Sequence, residues 1–464
     1  MDEVDIRSPY DGAVVGRVRL NTRADCEQAV RTAVESFAQT RQLAGYERQQ
    51  ILSRVANGIE ARAEEFAQLM MAEAGKPIAA ARAEVKRAIF TFKVAAEESV
   101  RTGGEVLPLD WQEGTRGSWS IIRRFPVGVV LAITPFNFPL NLVAHKVAPA
   151  IAVGCPVVLK PAPQTPLSAL KLADLIYRSG WPREALPVLY VSNEDAQFLV
   201  EHDDIKLLSF TGSAKVGWEL KTKSGKKKVV LELGGNAAVI IHADADLDLA
   251  VRRCVSGAFT YAGQSCISVQ RIFVHESVRE RFTAAFVDAS RKLRVGDPHD
   301  DNTQVGPMIR ASDVERVEQW IDEALAQGAT ELVGEGAGKR SREAASVLRP
   351  AILTHTTPQM KVNAEEIFAP VCSVESYRDF DDAIAAVNAS QYGLQAGVFT
   401  HDARLIFRAF ERIEVGGVIV NDASTFRIDH MPYGGVKDSG LGREGVRYAM
   451  EEMTEPRILV MRAP

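Results

Sequence analysis

The stretch "YAGQSCISVQR", Tyr261 to Arg271, places Cys266 after Gly263, Gln264 and Ser265 and before an apolar run. A free cysteine is usually a small buried hydrophobe. This loop is small and polar, unlike a core strand, so Cys266 is also a candidate nucleophile acting as its thiolate. Glu232 ends the apolar run "VVLE" just before Gly234 and Gly235. A carboxylate there is either a solvated strand-end charge or a base whose pKa burial raises. Asn137 lies in "TPFNFPL", directly after "VVLAI". Asparagine suits turns for local reasons, and its amide can also donate to a developing oxyanion.

Other residues suggest binding. Lys160 ends the run "VVLK", and the carboxyl ends of strands are where doubly wound sheets bind ligands. Gly212 and Gly217 flank a strand-to-helix turn, which can present backbone N–H groups to a phosphate or be a plain loop. Arg427, in "STFRIDHMPYGG", can fork onto a substrate carboxylate or pair with Asp429 as a surface arginine. His145 reads as a satisfied core histidine or as a substrate ligand.

These residues need elements to hold them. From Val127 onward, apolar runs alternate with helical segments: "GVVLAI", "PVVLK", "LPVLYV", "IKLLSF" and "KVVLEL". That alternation predicts α/β architecture, a parallel sheet covered on both faces. "AAVII" opens a second series that reaches about Val420, with a boundary near Gly234-Gly235. Upstream, apolar residues at three and four spacing predict helices over 24–40, 46–74 and 79–100. Ser118–Pro126 and "EPRILVM" read as strands with exposed edges, and pairing with another subunit is one remedy. A chain of 464 residues exceeds one core, which stops growing at about 250–300 residues.

Composition narrows the partners. A net charge of −5 excludes nucleic acid as the main partner, because phosphate binding needs a basic face. The five cysteines are scattered without a CxxC pair, so neither a disulfide framework nor a structural metal site is expected. The first residues lack the apolar core of a secretory signal, and "VGVVLAI" is too short for a membrane span. The expectation is a cytoplasmic protein with no membrane partner.

Seven segments in order resemble the aldehyde dehydrogenase superfamily: "FPVGVVLAITPFNFPL" (125–140), "LKPAPQTPLSAL" (159–170), "SFTGSAKVG" (209–217), "LELGGN" (231–236), "GQSC" (263–266), "EEIFAPV" (365–371) and "PYGGVKDSGLGREG" (432–445). The resemblance implies a Rossmann-like cofactor domain (1–111 and 129–234), an α/β catalytic domain (235–445) and a small β oligomerisation flap (112–128 and 446–464). It implies a homodimer or homotetramer. It implies oxidation of an aldehyde to a carboxylic acid with NAD or NADP, through a thiohemiacetal and a thioester on the cysteine. By position, Cys266 matches the nucleophile, Glu232 the general base and Asn137 the oxyanion donor. Lys160 matches the adenine-ribose ligand. Gly212, Ser213 and Val216 match pyrophosphate and adenine contacts, and Glu366 with Phe368 matches the nicotinamide clamp. Thr134, Pro135, Phe136, Ala162, Pro163 and Leu233 fall at further cofactor contacts. Arg427 and His145 are the candidate substrate residues, and the substrate class suggested is a semialdehyde or hydroxyaldehyde.

Departures from the family pattern refine this. Pro163 stands where many NAD-specific members carry a carboxylate, so NADP is at least tolerated. Ala369 replaces a usual glycine. Ser265 stands where some phosphate-handling members have arginine, which argues against a phosphorylated aldehyde. A variant in which coenzyme A takes the acyl group is disfavoured by Glu232. A non-catalytic relative is disfavoured by Cys266, Glu232 and Asn137 occurring together.

Overall fold

The apolar strands Val129–Ile133, Val157–Lys160 and Ala238–Ile241 are buried along their whole length. The structure, a computed structural model, describes residues 3–101, 103–336 and 344–462. A five-stranded sheet has the order Gly440–Leu441, Lys228–Glu232, Ile205–Thr211, Val129–Ile133, Val157–Lys160. The last four are mutually parallel, and Gly440–Leu441 joins antiparallel. Side chains alternate across a strand. Val129, Leu131 and Ile133 therefore pack with Cys26, Ala29 and Val30 of the helix Arg23–Thr40. Val130 and Ala132 pack with Ala144, Val147 and Ile151 of the helix Asn141–Val153 on the opposite face.

A second sheet of seven strands has the order Thr330–Val333, Ala351–Thr354, Val371–Tyr377, Arg271–His275, Ala238–Ile241, Gln395–Phe399, Gly417–Val420. It is parallel apart from Thr330–Val333. Val239 and Ile241 face one apolar cluster, Ala238 and Ile240 another. The chain passes between the sheets through Leu233–Ala237. The carboxyl edge of the first sheet, marked by Ile133, Lys160, Thr211 and Glu232, thus meets the amino edge of the second, marked by Ala238, Arg271 and Val371.

The two expected edge strands pair with each other. Trp119–Pro126 runs antiparallel to Thr454–Met461, from Trp119 opposite Met461 to Pro126 opposite Thr454, and Glu105–Pro108 adds a third strand. Val446, Met450 and Met453 pack into the core around the helix Asn141–Val153, ahead of that last strand.

Two segments differ from the sequence reading. The stretch 46–74 is two helices, Gly45–Ala61 and Ala63–Ala74, broken at Arg62 where the backbone leaves the helical region (φ −121°, ψ 27°). Gly75 stops the second helix as expected, at φ 63°, where an added Cβ would fall 2.5 Å from Pro307 and 2.6 Å from Pro9. "LPVLYV" forms no strand; only Val188 bridges to Leu159. Next to it Asn21 takes both backbone groups of Tyr190, so the ladder stops there.

The helix Asn141–Val153 begins four residues after Asn137 and lacks a side-chain cap of its own. Glu84, on the helix Ile78–Glu98, supplies one. Its Oε1 accepts the Leu140 and Asn141 N–H groups at 3.0 Å each, and its Oε2 pairs with buried Lys76. Lys76 also lies 3.9 Å above the Phe138 ring and 4.5 Å above Tyr261. Removing one partner of a buried pair strands the other charge. Glu84→Ala is expected to lower the unfolding free energy by about 3–5 kcal/mol in equilibrium urea denaturation; an unchanged midpoint would contradict this role.

Candidate active site

Three glycines let the two sheets close on one another. Gly235 has no Cβ, and one added there would sit 2.2 Å from the Cys266 carbonyl oxygen. At Gly234 a Cβ would strike the Glu366 carboxylate at 2.2 Å. Gly263 adopts φ 66°, and a Cβ on it would meet the Ala369 carbonyl at 2.1 Å. Tyr261 and Ala262 before it are also left-handed, each at φ 52°. Non-glycine residues hold that conformation only when their surroundings fix them. Here the Tyr261 hydroxyl donates to the Ala74 carbonyl at 3.1 Å. Gln264 donates from Nε2 to Tyr261 and Pro307 and accepts the Ile309 N–H, so the residues leading to Cys266 are tied at several points.

A cavity of about 600 Å³ opens on this junction. Cys266, Asn137 and Glu232 line it, with Glu366 and Phe368 on the same wall. Asn137 is buried and gives one Nδ2 proton to the Gln264 carbonyl at 3.0 Å, leaving the second proton. The Cys266 backbone N–H has no acceptor among the described residues. These are two donors beside one sulfur. Glu232 is buried with neither carboxyl oxygen hydrogen-bonded. Burial, then Glu444, push its pKa well above the usual carboxylate range, against Arg427, Lys146 and Arg443.

Behind the cavity lies a buried charge network that sequence reasoning missed. The Cys266 sulfur is 3.1 Å from the Tyr433 hydroxyl. Arg427 lies 3.6 Å over the Tyr433 ring and donates to Glu444 at 3.2 Å. Lys146 donates to the other Glu444 oxygen at 3.0 Å and to Ser209 at 2.9 Å. Burial alone would raise Glu444, but Lys146, His145 and Arg427 hold it at about 2. Arg427 therefore pairs with Glu444, and the expected Asp429 partner is taken elsewhere. Asp429 accepts two bonds from Arg87, one from Asn141, and lies 2.8 Å from His145 Nε2. His145 is buried and is not part of the cavity wall, whereas Arg427 and Arg87 are. Tyr433 and Glu444 fall inside the "PYGGVKDSGLGREG" segment, so the motif was the signal for both. Arg87 and Lys146 sit in helical patterns where a charge looks like ordinary surface.

The comparisons fit this geometry. The Aldehyde dehydrogenase family profile matches residues 1–459. The chain belongs to the aldehyde dehydrogenase family. It is 44% identical over 461 residues to 3-sulfolactaldehyde dehydrogenase of Priestia aryabhattai, covering 99% of this chain and 95% of that one. Aldehyde dehydrogenase 21 from Physcomitrella patens, crystallised with the reaction product succinate, superposes with a TM-score of 0.96 at 45% identity, covering 99% and 95% of the two chains. Glyceraldehyde-3-phosphate dehydrogenase from Methanocaldococcus jannaschii, complexed with NADP, superposes with a TM-score of 0.94 at 39% identity, covering 99% of each. This aldehyde dehydrogenase is an NAD(P)-dependent oxidoreductase of α/β fold, and no helix among its described residues is long and apolar enough to cross a membrane.

The cleft suits a dinucleotide. Lys160 is buried at a strand end with no carboxylate partner among the described residues, and burial lowers its pKa. Ala162 is buried beside it and Pro163 is exposed. Thr134 is buried, its N–H on the Lys160 carbonyl at 3.1 Å. Gly212 and Ser213 open the helix Ala214–Lys223, whose first turn has no side-chain cap and so presents free N–H groups toward the cleft. Val216 is exposed on that helix. Pro135, Phe136, Gly212, Ser213 and Leu233 line the cavity, and Phe136 meets Phe368 edge-on at 5.9 Å. Glu366 Oε1 accepts the Gly235 N–H at 2.9 Å, and burial pushes its pKa up to about 7.

The Gly235–Cys266 approach is backbone against backbone, so no rotamer relieves it. Ångström-scale misplacement of a reacting group can cost on the order of 100-fold in rate. Gly235→Ala is expected to lower kcat by about that factor with the circular dichroism spectrum unchanged; a kcat near the parent's would contradict it.

Proposed function

We propose that Cys266, Asn137 and Glu232 carry out hydrolytic oxidation of a short aldehyde that bears an anionic or hydroxyl group. One observation carries this reading: a buried carboxylate with two unpartnered oxygens shares a cavity wall with the thiol and the amide. The Cys266 thiolate adds to the aldehyde carbon, and the carbonyl π pair moves to oxygen. Asn137 Nδ2–H and the Cys266 N–H hold that oxyanion, a contribution of about 2.7–4 kcal/mol per donor in a well-characterised protease. A nicotinamide held by Glu366 and Phe368 would supply the hydride acceptor: the adduct's C–H would leave as hydride while the oxyanion pair re-forms the carbonyl, so that a thioester remains on Cys266. Glu232 then takes a proton from water as the water oxygen attacks the thioester carbon. The C–S bond breaks and the acid leaves. Coenzyme A transfer would have little use for a buried water-activating base, so hydrolysis is the favoured outcome.

Several features bear on specificity. Lys160 without a counterion, and Pro163 where an acid would repel a 2′-phosphate, favour NADP. Lys160, Ala162, Pro163, Val216 and Thr134 would line the adenosine side, and Glu366 with Phe368 the nicotinamide side. The aldehydes or products in the relatives' names carry a sulfonate, a carboxylate or a phosphate. On the cavity wall, Arg87 spends Nε and Nη2 on Asp429, and Nη1 carries no bond within the described residues. Arg427 Nε, buried and unpartnered, adds a second cationic donor. Both suit the far end of such a substrate, whereas His145 positions Asp429 behind them. Residues 1–111 and 129–234 form the cofactor domain in this reading and 235–445 the catalytic domain. The sheet of Trp119–Pro126 and Thr454–Met461 leaves free edges and exposes Ile458 and Leu459, which suits a homo-oligomer. Five free cysteines suit a reducing, cytoplasmic setting.

Rapid mixing tests the roles. Cys266→Ala should abolish NAD(P)H formation. Glu232→Gln should give one burst of about one NAD(P)H per site and then stall, with the acyl adduct visible by mass spectrometry; steady turnover in that variant would refute the base. The raised Glu232 pKa fixes the sign of the pH effect. The base form is lost as pH falls through that value, so deacylation should rise with pH along a limb well above the ordinary carboxylate range. Arg87→Ala should raise KM about 10–100-fold for a carboxylate- or sulfonate-bearing aldehyde, as expected for a lost charged hydrogen bond, and leave KM for a neutral aldehyde of equal length unchanged. Equal effects on both substrates would exclude a substrate-anion role.

A further inference from the structure

The Tyr433 hydroxyl has no role in the steps above, yet among the described residues it is the only side-chain polar group within hydrogen-bond distance of the Cys266 sulfur, at 3.1 Å. Its ring is buried among Ile267 and Leu394, so the hydroxyl cannot turn to solvent. Its backbone is fixed as well: the Tyr433 and Glu444 N–H groups donate to each other's carbonyls at 3.0 and 2.7 Å. The ring carries a cation on its face. Arg427 sits 3.6 Å from the centroid and is held there by Glu444, which Lys146 holds in turn. A cation over a phenol ring draws electron density from it and makes its O–H a better donor.

We infer that Tyr433 is a catalytic residue for the reaction proposed above: its hydroxyl donates to the Cys266 thiolate and stabilises the nucleophilic form, with Arg427 as the positioning residue that polarises it. The inference rests on Cys266 being the nucleophile. Tyr433 keeps its proton throughout. The thiol proton equilibrates with solvent through the open cavity before aldehyde binds. When the sulfur lone pair forms the C–S bond, negative charge passes to the carbonyl oxygen, where Asn137 and the Cys266 N–H take it up. The Tyr433 hydrogen bond weakens at that moment because its acceptor is neutralised, and it re-forms when hydrolysis frees the thiolate.

The surroundings show why such a donor is needed. Burial chiefly, opposed by Tyr433 and Arg427 and aided by Glu366 and Glu232, leaves the Cys266 thiol raised to about 11. Tyr433 is raised well above the usual phenol range by burial, then by Cys266, with Glu232 also raising it and Arg427 opposing, so the phenol stays protonated as the thiol ionises. A charge-assisted hydrogen bond is roughly twice as strong as a neutral one. It therefore favours the thiolate over the thiol.

The test reads the thiol directly and needs no turnover. The pH dependence of Cys266 alkylation by iodoacetamide is measured on the full-length protein, with Cys266→Ala marking background labelling. Tyr433→Phe deletes one oxygen and keeps the ring under Arg427. Its alkylation midpoint should move up by about 1–2 units, and alkylation and pre-steady-state acylation at pH 7 should each slow about 10–100-fold, as loss of a charged hydrogen bond predicts. A second variant guards against a packing artefact: 3-fluorotyrosine at position 433 strengthens the O–H donor with little change of shape, and should move the midpoint below that of the parent. An unshifted midpoint in folded Tyr433→Phe, or fluorotyrosine indistinguishable from tyrosine, would overturn the inference. Failure of the broader reading looks different: there the parent protein forms no NAD(P)H from any aldehyde.

Discussion

A hydrogen atom in place of a Cβ at Gly235 permits the contact on which the site is built. The carbonyl of Cys266 occupies the space a side chain would need. Through that approach the end of the Lys228–Glu232 strand and the Cys266 loop become neighbours, although they belong to different sheets. Gly234 and Gly263 repeat the device, one against Glu366 and one against the Ala369 carbonyl. The sheets themselves are ordinary. Their carboxyl and amino edges meet because the crossing segment is only Leu233–Ala237, too short to carry the chain anywhere else.

The second constraint is electrostatic. Lys76, Glu84, His145, Lys146, Glu232, Arg427, Asp429 and Glu444 are all buried or nearly so. Isolated charges in such a place are costly, and each of these is paired except Glu232. The exception is informative. Both its carboxyl oxygens lack partners, whereas Arg427, Lys146 and Glu444 beside it each hold an ion pair. A group kept in that condition binds a proton avidly, and a base that must take a proton from water benefits from it.

The architecture was readable because it follows from periodicity. Continuous apolar runs became parallel strands, and the motif order fixed which strand ends carry which residue. Cys266, Asn137, Glu232 and Glu366 were named from the resemblance of their motifs to the family, and the structure gathers them in one cavity. The misses have different causes. "LPVLYV" has strand composition, but Asn21 captures the hydrogen bonds a ladder would need. The break at Arg62 interrupts a helical pattern whose apolar spacing continues through it. Of the two readings open for Arg427, a substrate carboxylate or Asp429, the second does not hold: Arg87, far away in sequence, pairs with Asp429. Partners of a charge are a tertiary property, and spacing along the chain does not contain them.

The short strand Gly440–Leu441, with the Tyr433 and Glu444 bridge beside it, has a consequence for the order in which the molecule is made. Chains emerge amino end first, and domains fold as units during synthesis. Cys266, Asn137 and Glu232 have all emerged long before residue 433. Until residues 433–444 arrive, Glu232's strand has an open edge, Lys146 has no Glu444, and the thiol has no phenol beside it. A chain stopped before residue 433 lacks these contacts and also the core residues Val446, Met450 and Met453. In the reading proposed above, a chain stopped short of Tyr433 keeps the thiol but not the group that would favour its ionised form.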